Sequence, residues 1–277
     1  MAKTAELDSS DPTIPLPSGK EPGGTNGLNT SKPARAVWVD QLKVVYPNGT
    51  VGLSPTTLNI GANEMTVLLG PSGAGKSTLL RALNLLVKPT GGAVINHQGL
   101  TLSDKAAIRA HRRETAMIFQ QHQLIGRQTA LQNVLTGRLG KHSFWRTLLP
   151  FSQMERKMAL ASLHRVGLFE KALARCDNMS GGQQQRVGIA RALAQQPSII
   201  LADEPVASLD PASSQRVLSL LRQICREDGL SVVVSLHQLD YAREFADRII
   251  GLAGSKVVFD GPPAALNDDA LVRIYGS

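Results

Sequence analysis

Cysteine is almost missing: Cys176 and Cys225 are the two in 277 residues, and neither sits in a C-x-x-C or a Cys/His cluster. The sequence therefore offers no disulfide framework and no zinc site, and both thiols are expected to be small packed hydrophobes. Aromatic residues make up only 4% of the chain. The basic clusters Arg109, Arg112, Arg113 and Arg156-Lys157 are not interleaved with aromatics, as a platform for single-stranded nucleic acid would be, and read as solvated helix faces. No apolar run is long enough to cross a bilayer, and the acidic, Ser-rich start lacks the basic-then-apolar layout of a secretory signal. A soluble, cytosolic protein is expected. Acids are outnumbered, 22 to 30, which leaves a net charge of +8 and permits contact with polyanions or a membrane surface without demonstrating either.

What is present is more telling. The first thirty or so residues are rich in Pro, Gly, Ser, Thr and Asn and show neither helical nor strand period, so residues 1–35 are expected to be a disordered leader. Beyond them, Ala36–Asp40 and Lys43–Tyr46 read as two strands followed by a Pro47-Asn48-Gly49 turn, with further strands at Thr57–Ile60 and Ala93–Asn96. These short strands suit an antiparallel sheet packed beside a parallel core. From about 121 to 177 the pattern turns helical, with Thr129–Leu139 and Gln153–Val166 separated by Pro150, and is expected to form a separate helical lobe. Its Phe144-Trp145 and Leu148-Leu149 suit a partner-contacting patch or ordinary packing equally.

The strongest motif is Gly70-Pro71-Ser72-Gly73-Ala74-Gly75-Lys76-Ser77-Thr78, which fits G-x-x-x-x-G-K-[ST]. Met65–Leu69 before it reads as a buried strand. Leu79, Leu80, Leu83, Leu86 and Val87 behind it recur at helical spacing up to Pro89. Glycines let successive amides converge on one anion, and the helix start adds its unpaired donors and positive dipole end. Lys76 suits the β/γ-phosphates of a nucleotide, and the Ser77 hydroxyl suits Mg²⁺.

Two further strands aim polar groups at the same place. Ser198–Ala202 is an apolar run ending in Asp203 and Glu204, and Leu230–Leu236 is one ending in His237. In open α/β sheets ligands sit beyond the C-terminal strand ends. Asp203 suits Mg²⁺ coordination, and Glu204 an attacking water. Ser180 with Gln183 three residues later is a capping box, and Gly181 and Gly182 between them leave room at that helix start for a second anion. His97, His122 and His164 show no ligand spacing. Arg248–Leu252 and Lys256–Asp260 suit a closing hairpin, and a short helix from about Pro263 finishes the chain.

In this order the motifs resemble those of the ATP-binding-cassette (ABC) ATPase subunits, over about Ala36 to Ser277. Gly70–Thr78 is similar to the Walker A motif, Gln120 to the Q-loop, Met179–Gln183 to the signature, Ile199–Glu204 to Walker B, Ser208-Leu209-Asp210 to the D-loop and His237 to the switch histidine. Met179 departs from the usual leucine by a similar-sized apolar side chain. The resemblance implies an α/β fold: a P-loop NTPase cassette over residues 36–277, with a parallel core sheet, an antiparallel β subdomain and a helical subdomain inserted at about 121–177. It implies ATP and Mg²⁺ as cofactors, Tyr46 against adenine, and Ser77, Gln120 and Asp203 at the metal. Lys76, Gln120, Glu204 and His237 are implied in hydrolysis. It further implies a head-to-tail dimer in which Ser180, Gly181, Gly182 and Gln183 of one copy bind the γ-phosphate held by the other.

A lone cassette of this kind resembles the separate subunit of a prokaryotic importer, at the cytoplasmic face of the inner membrane, with its helical lobe on a permease. Phe119-Gln120-Gln121, Asn133–Gly140, Trp145–Leu148, Leu201–Ser208 and Ser235–Ala242 resemble the phosphonate importer (PhnC) subgroup, which implies a periplasmic phosphonate-binding protein as an indirect partner. No residue of such a subunit reads the solute, so an importer for another small polar solute, such as an amino acid or phosphate, stays open. A soluble nucleic-acid-associated ABC protein is a further alternative, but the chain has neither paired cassettes nor a long coiled coil. A phosphotransferase would give no reason for the Ser180–Gln183 element. No nucleic-acid partner is expected.

Overall fold

The structure, a computed structural model, describes residues 35–120, 123–142, 146 and 149–276. The expected leader lies outside these residues, except for Arg35, which begins the first strand. Phe144, Trp145 and Leu148 of the expected contact patch also lie outside them; Leu149 is described and is 61% exposed.

Apolar strands build the centre. β3 (Met65–Leu69), β6 (Ile199–Ala202) and β7 (Ser231–Leu236) are buried at every position, as expected of parallel strands covered on both faces. They lie in a six-stranded sheet of order β5-β6-β7-β3-β8-β9 with β5 (Thr115–Ile118), β8 (Arg248–Ala253) and β9 (Lys256–Gly261). All pairings are parallel except the β8–β9 hairpin, which was expected. The two-residue period of a strand divides the core. Met65, Val67, Leu69, Val232 and Val234 join one apolar cluster, and Leu68, Leu201, Val233 and Ile250 join the other.

The second cluster is shared with helix α1 (Lys76–Leu83) and with a three-stranded antiparallel sheet of order β2-β1-β4, made of β1 (Arg35–Val45), β2 (Val51–Gly61) and β4 (Gly91–Asn96). The two strands expected between Ala36 and Tyr46 are one. Gln41 takes a φ of 46° where the register with β2 shifts, so a bulge, not a loop, absorbs the polar Asp40-Gln41 step. Helix α1 is shorter than its apolar period implies. Leu85 has a φ of 54°, and Leu86 and Val87 follow outside the helix. The orphan carbonyls at this end are taken by α2 (Lys105–Glu114): His111 Nε2 lies 2.8 Å from the Leu83 oxygen, and Arg112 donates to those of Asn84 and Leu85 at 3.2 and 2.5 Å. Arg112 thus does more than meet solvent.

Residues 123–178 contain, among those described, no strand but two helices, α3 (Ala130–Leu135) and α4 (Gln153–Arg165), with short 3-10 turns. Both pack on α5 (Gly181–Ala194). Capping boxes open all three, at Thr129/Gln132, Ser152/Glu155 and Ser180/Gln183. The last was expected from the sequence. α6 (Pro211–Glu227) and α7 (Leu239–Phe245) flank the core sheet, and α8 (Asp268–Tyr275) packs on β8 and β9. Cys176 and Cys225 are both buried and unbridged.

Strand register brings the polar residues together. Leu69 pairs with Leu236, Ala202 with Val234, and Ile118 with Ala202, so four parallel strands end at one edge. The residues just past those ends are Gly70, Gln120, Asp203 with Glu204, and His237.

Candidate functional site

The loop after β3 takes the conformation a phosphate cradle needs. Gly70 and Gly75 have φ of 151° and 102°, and a Cβ on them would lie 2.2 Å from the Leu252 carbonyl oxygen and 2.7 Å from that of Gly52. No other residue fits either position without moving backbone. Gly75 is also the N-cap of α1 and supplies no side-chain acceptor, so the first amides of the helix have no capping side chain. Lys76 is 3% exposed and folds under the loop, its Nζ donating to the carbonyls of Gly70 at 2.7 Å and Pro71 at 2.9 Å. Burial lowers its pKa, against the opposing pull of Glu204 and Asp203.

The carboxylates past β6 are wired to this loop. Asp203, also 3% exposed, accepts through Oδ1 from Ser77 Oγ at 2.7 Å and Ser235 Oγ at 3.1 Å, and through Oδ2 from Arg81 Nη2 at 3.3 Å. Ser235, fully buried on β7, also accepts the amide of Glu204 at 2.9 Å. One hydroxyl therefore joins both acids. Glu204 has a φ of 50°, and its Oε1 is 2.5 Å from His237 Nε2. Tyr275 at the end of α8 donates to the His237 carbonyl at 3.4 Å. On the other side, the Tyr46 phenol and the Thr78 hydroxyl are 3.0 Å apart, which sets the half-buried ring beside the first turn of α1.

Within one chain, hydrogen bonds thus link Ser77, Asp203, Glu204 and His237, with Lys76 in the same cradle and Tyr46 held to Thr78. Gln120 stands two residues past β5 at the same sheet edge, exposed. The Ser180–Gln183 helix start makes local contacts: Ser180 Oγ accepts the Gln183 amide, Gln183 Oε1 accepts the Ser180 amide, and Gly181 and Gly182 lie against Leu209 and Ser213. No hydrogen bond joins it to the cradle among the described residues.

Ser235 and Arg81 were not singled out from the sequence. Ser235 left a signal, being a polar residue directly after three valines in a buried strand and so in need of a buried partner. Arg81 follows Ser77 by four residues and shares its helix face. Ser77 and Asp203 together present hard oxygen donors 2.7 Å apart, a pairing that fits Mg²⁺. A separate cavity of about 320 Å³ opens between β5, the end of α2, the 136–141 segment and α5; Met117, Phe119, Arg113, Lys141 and Arg191 are among its lining.

The ABC transporter family profile matches residues 53–207. A phosphite import ATP-binding protein, PxtA of Stutzerimonas stutzeri, is 63% identical over 237 residues, covering 86% of both chains. The chain belongs to the ABC transporter family. Another relative of this ABC protein is the phosphonates import ATP-binding protein PhnC 3 of Nostoc sp., 56% identical over 87% of this chain and 92% of that one. Among solved structures it is similar to the ATP-binding cassette MJ0796, determined as a dimer in a post-hydrolysis state bound to ADP and Pi. Identity there is 37% and the TM-score 0.71, over 82% of this chain and 98% of that one. The fold is that of an ABC ATPase cassette, as expected from the motifs.

Proposed function

We propose that this chain is the ATP-hydrolysing subunit of an importer for phosphonate or a related phosphorus oxyanion such as phosphite. The observation that carries hydrolysis is the hydrogen-bonded path from Ser77 through Asp203 and Ser235 to Glu204 and His237. The cradle amides of Gly70 to Thr78 and the Lys76 ammonium would hold the β- and γ-phosphates, with the adenine against Tyr46. Ser77, Asp203 and Gln120 would hold Mg²⁺, which supplies charge neutralisation on the phosphate oxygens when bound. Glu204, oriented by His237, accepts the proton of the water that attacks the γ-phosphorus, giving ADP and phosphate. Positioning and charge supply most of such an acceleration.

Among the described residues the Ser180–Gln183 start makes no hydrogen bond to its own cradle, which supports a composite site. In a head-to-tail pair, Ser180, Gly181, Gly182 and Gln183 of one copy complete the cradle of the other. Residues 121–177 act as a helical subdomain that meets a membrane permease, and the cavity bounded by Phe119, Lys141 and Arg191 is one concavity available to it. Attachment to the membrane runs through that permease, at the cytoplasmic face. A periplasmic phosphonate-binding protein completes the system indirectly.

Glu204→Gln tests the hydrolytic assignment. It should retain ATP binding, lose turnover and accumulate a nucleotide-bridged dimer measurable by light scattering. Unchanged turnover would remove Glu204 from the mechanism. Uptake of phosphite against methylphosphonate by cells expressing the cassette with its permease assigns the solute.

A further inference from the structure

A carboxylate taken out of water is costly unless paired, and the partners of Asp203 are unequal. Ser77 and Ser235 are neutral hydroxyls on Oδ1, whereas Oδ2 has a cation, Arg81, and no other cation reaches ion-pair distance of Asp203 among the described residues. Lys76 directs its ammonium at the Gly70 and Pro71 carbonyls instead. Ser77 and Arg81, one turn apart on α1, therefore take one carboxylate oxygen each.

The arginine contact is loose. Its 3.3 Å exceeds the roughly 2.7–2.9 Å of a strong charge-assisted bond, and its side chain is 46% exposed while that of Asp203 is 4% exposed. The guanidinium can therefore leave for water at little cost. The acid cannot.

We infer that Arg81 is an exchangeable counter-ion of Asp203. It orients the carboxylate while no cation is bound, and a divalent cation arriving with the nucleotide competes with it for that carboxylate. Arg81 is then a positioning residue that sets cation affinity. The inference rests on the proposed role of Asp203 at the metal.

The test is Mn²⁺ binding to the full chain, followed by electron paramagnetic resonance in the presence of a non-hydrolysable ATP analogue. Affinity for a fluorescent ATP analogue in EDTA serves as the control. Arg81→Met keeps most of the aliphatic stem and removes the charge. Its Mn²⁺ dissociation constant should fall about fivefold, the value of a half-exposed ion pair of roughly 1 kcal/mol. Arg81→Lys should stay near wild type, and nucleotide affinity in EDTA should not change. An Arg81→Met protein with wild-type or weaker Mn²⁺ affinity and intact EDTA-state binding would overturn the inference. If Arg81→Met fails to fold, Arg81→Gln is read in the same way. A wild-type chain that binds nucleotide but shows no nucleotide-dependent Mn²⁺ site would instead overturn the role of Asp203 itself.

Discussion

Removing one oxygen atom from the sheet should disable both acids of the site. Ser235→Ala deletes the hydroxyl that donates to Asp203 Oδ1 at 3.1 Å and accepts the Glu204 amide at 2.9 Å. The site is fully buried, so water cannot replace either bond, and the change in volume is small. One bond reaches a charged group and is worth about 1.5–3 kcal/mol; the other is amide to hydroxyl, worth about 0.5–1.5 kcal/mol. The sum, about 2–4.5 kcal/mol, should appear as a lower urea midpoint with an unchanged m-value. Glu204 also loses a contact that holds its left-handed backbone, so ATP turnover should fall by more than ATP binding. Ser235→Thr, which restores the hydroxyl on a strand-compatible side chain, should recover both. Stability within about 0.5 kcal/mol of wild type, together with full turnover, would refute the argument that this hydroxyl ties the carboxylates together.

Other consequences can be measured directly. Glu155, buried at the start of α4, accepts from Ser152, His142 and Arg146. Burial pushes its pKa up, but the Ser152 bonds and His142 outweigh this and hold it below the ordinary 4.5. Its folded pKa being lowered, its stabilisation is complete above the ordinary value and is lost as pH falls through the lowered one. Glu155→Gln should flatten that acid limb in a series of denaturation curves taken between neutral and acid pH. Arg112→Met should uncap the end of α1 and cost about 1–2 kcal/mol, with Arg109→Met, whose side chain is on the exposed face of α2, as the near-neutral control.

The parts of the site that depend on neighbours in sequence were legible. The cradle, the carboxylate pair after an apolar run and the Ser180/Gln183 capping box all announce themselves within a few residues, because backbone conformation and strand burial are local demands. What depends on distant residues was not. Leu86 and Val87 continue the helical period of α1, yet the helix ends at Leu83 because His111 and Arg112, 27 to 28 residues further on, supply hydrogen-bond partners for the carbonyls at its end. The β1 bulge at Gln41 is fixed by Thr57 of the facing strand, whose hydroxyl accepts the Gln41 amide at 2.9 Å. Ser235 and Arg81 become meaningful only when sheet register and helix face bring them to Asp203. The Thr129 and Ser152 capping boxes could have been read from their spacing, since each has its Gln or Glu three residues on.

The proposal that the catalytic site is shared between two copies is best tested by mixing two disabled chains. Lys76→Ala removes the cradle cation and Ser180→Arg blocks the helix start, so each variant alone should hydrolyse no ATP. In an equimolar mixture, a head-to-tail pair contains one site with an intact cradle from one chain and an intact helix start from the other. Phosphate release should therefore reappear on mixing and rise with protein concentration. A mixture no more active than the two variants assayed separately, while wild-type chains mixed in the same way remain active, would contradict a site shared between copies.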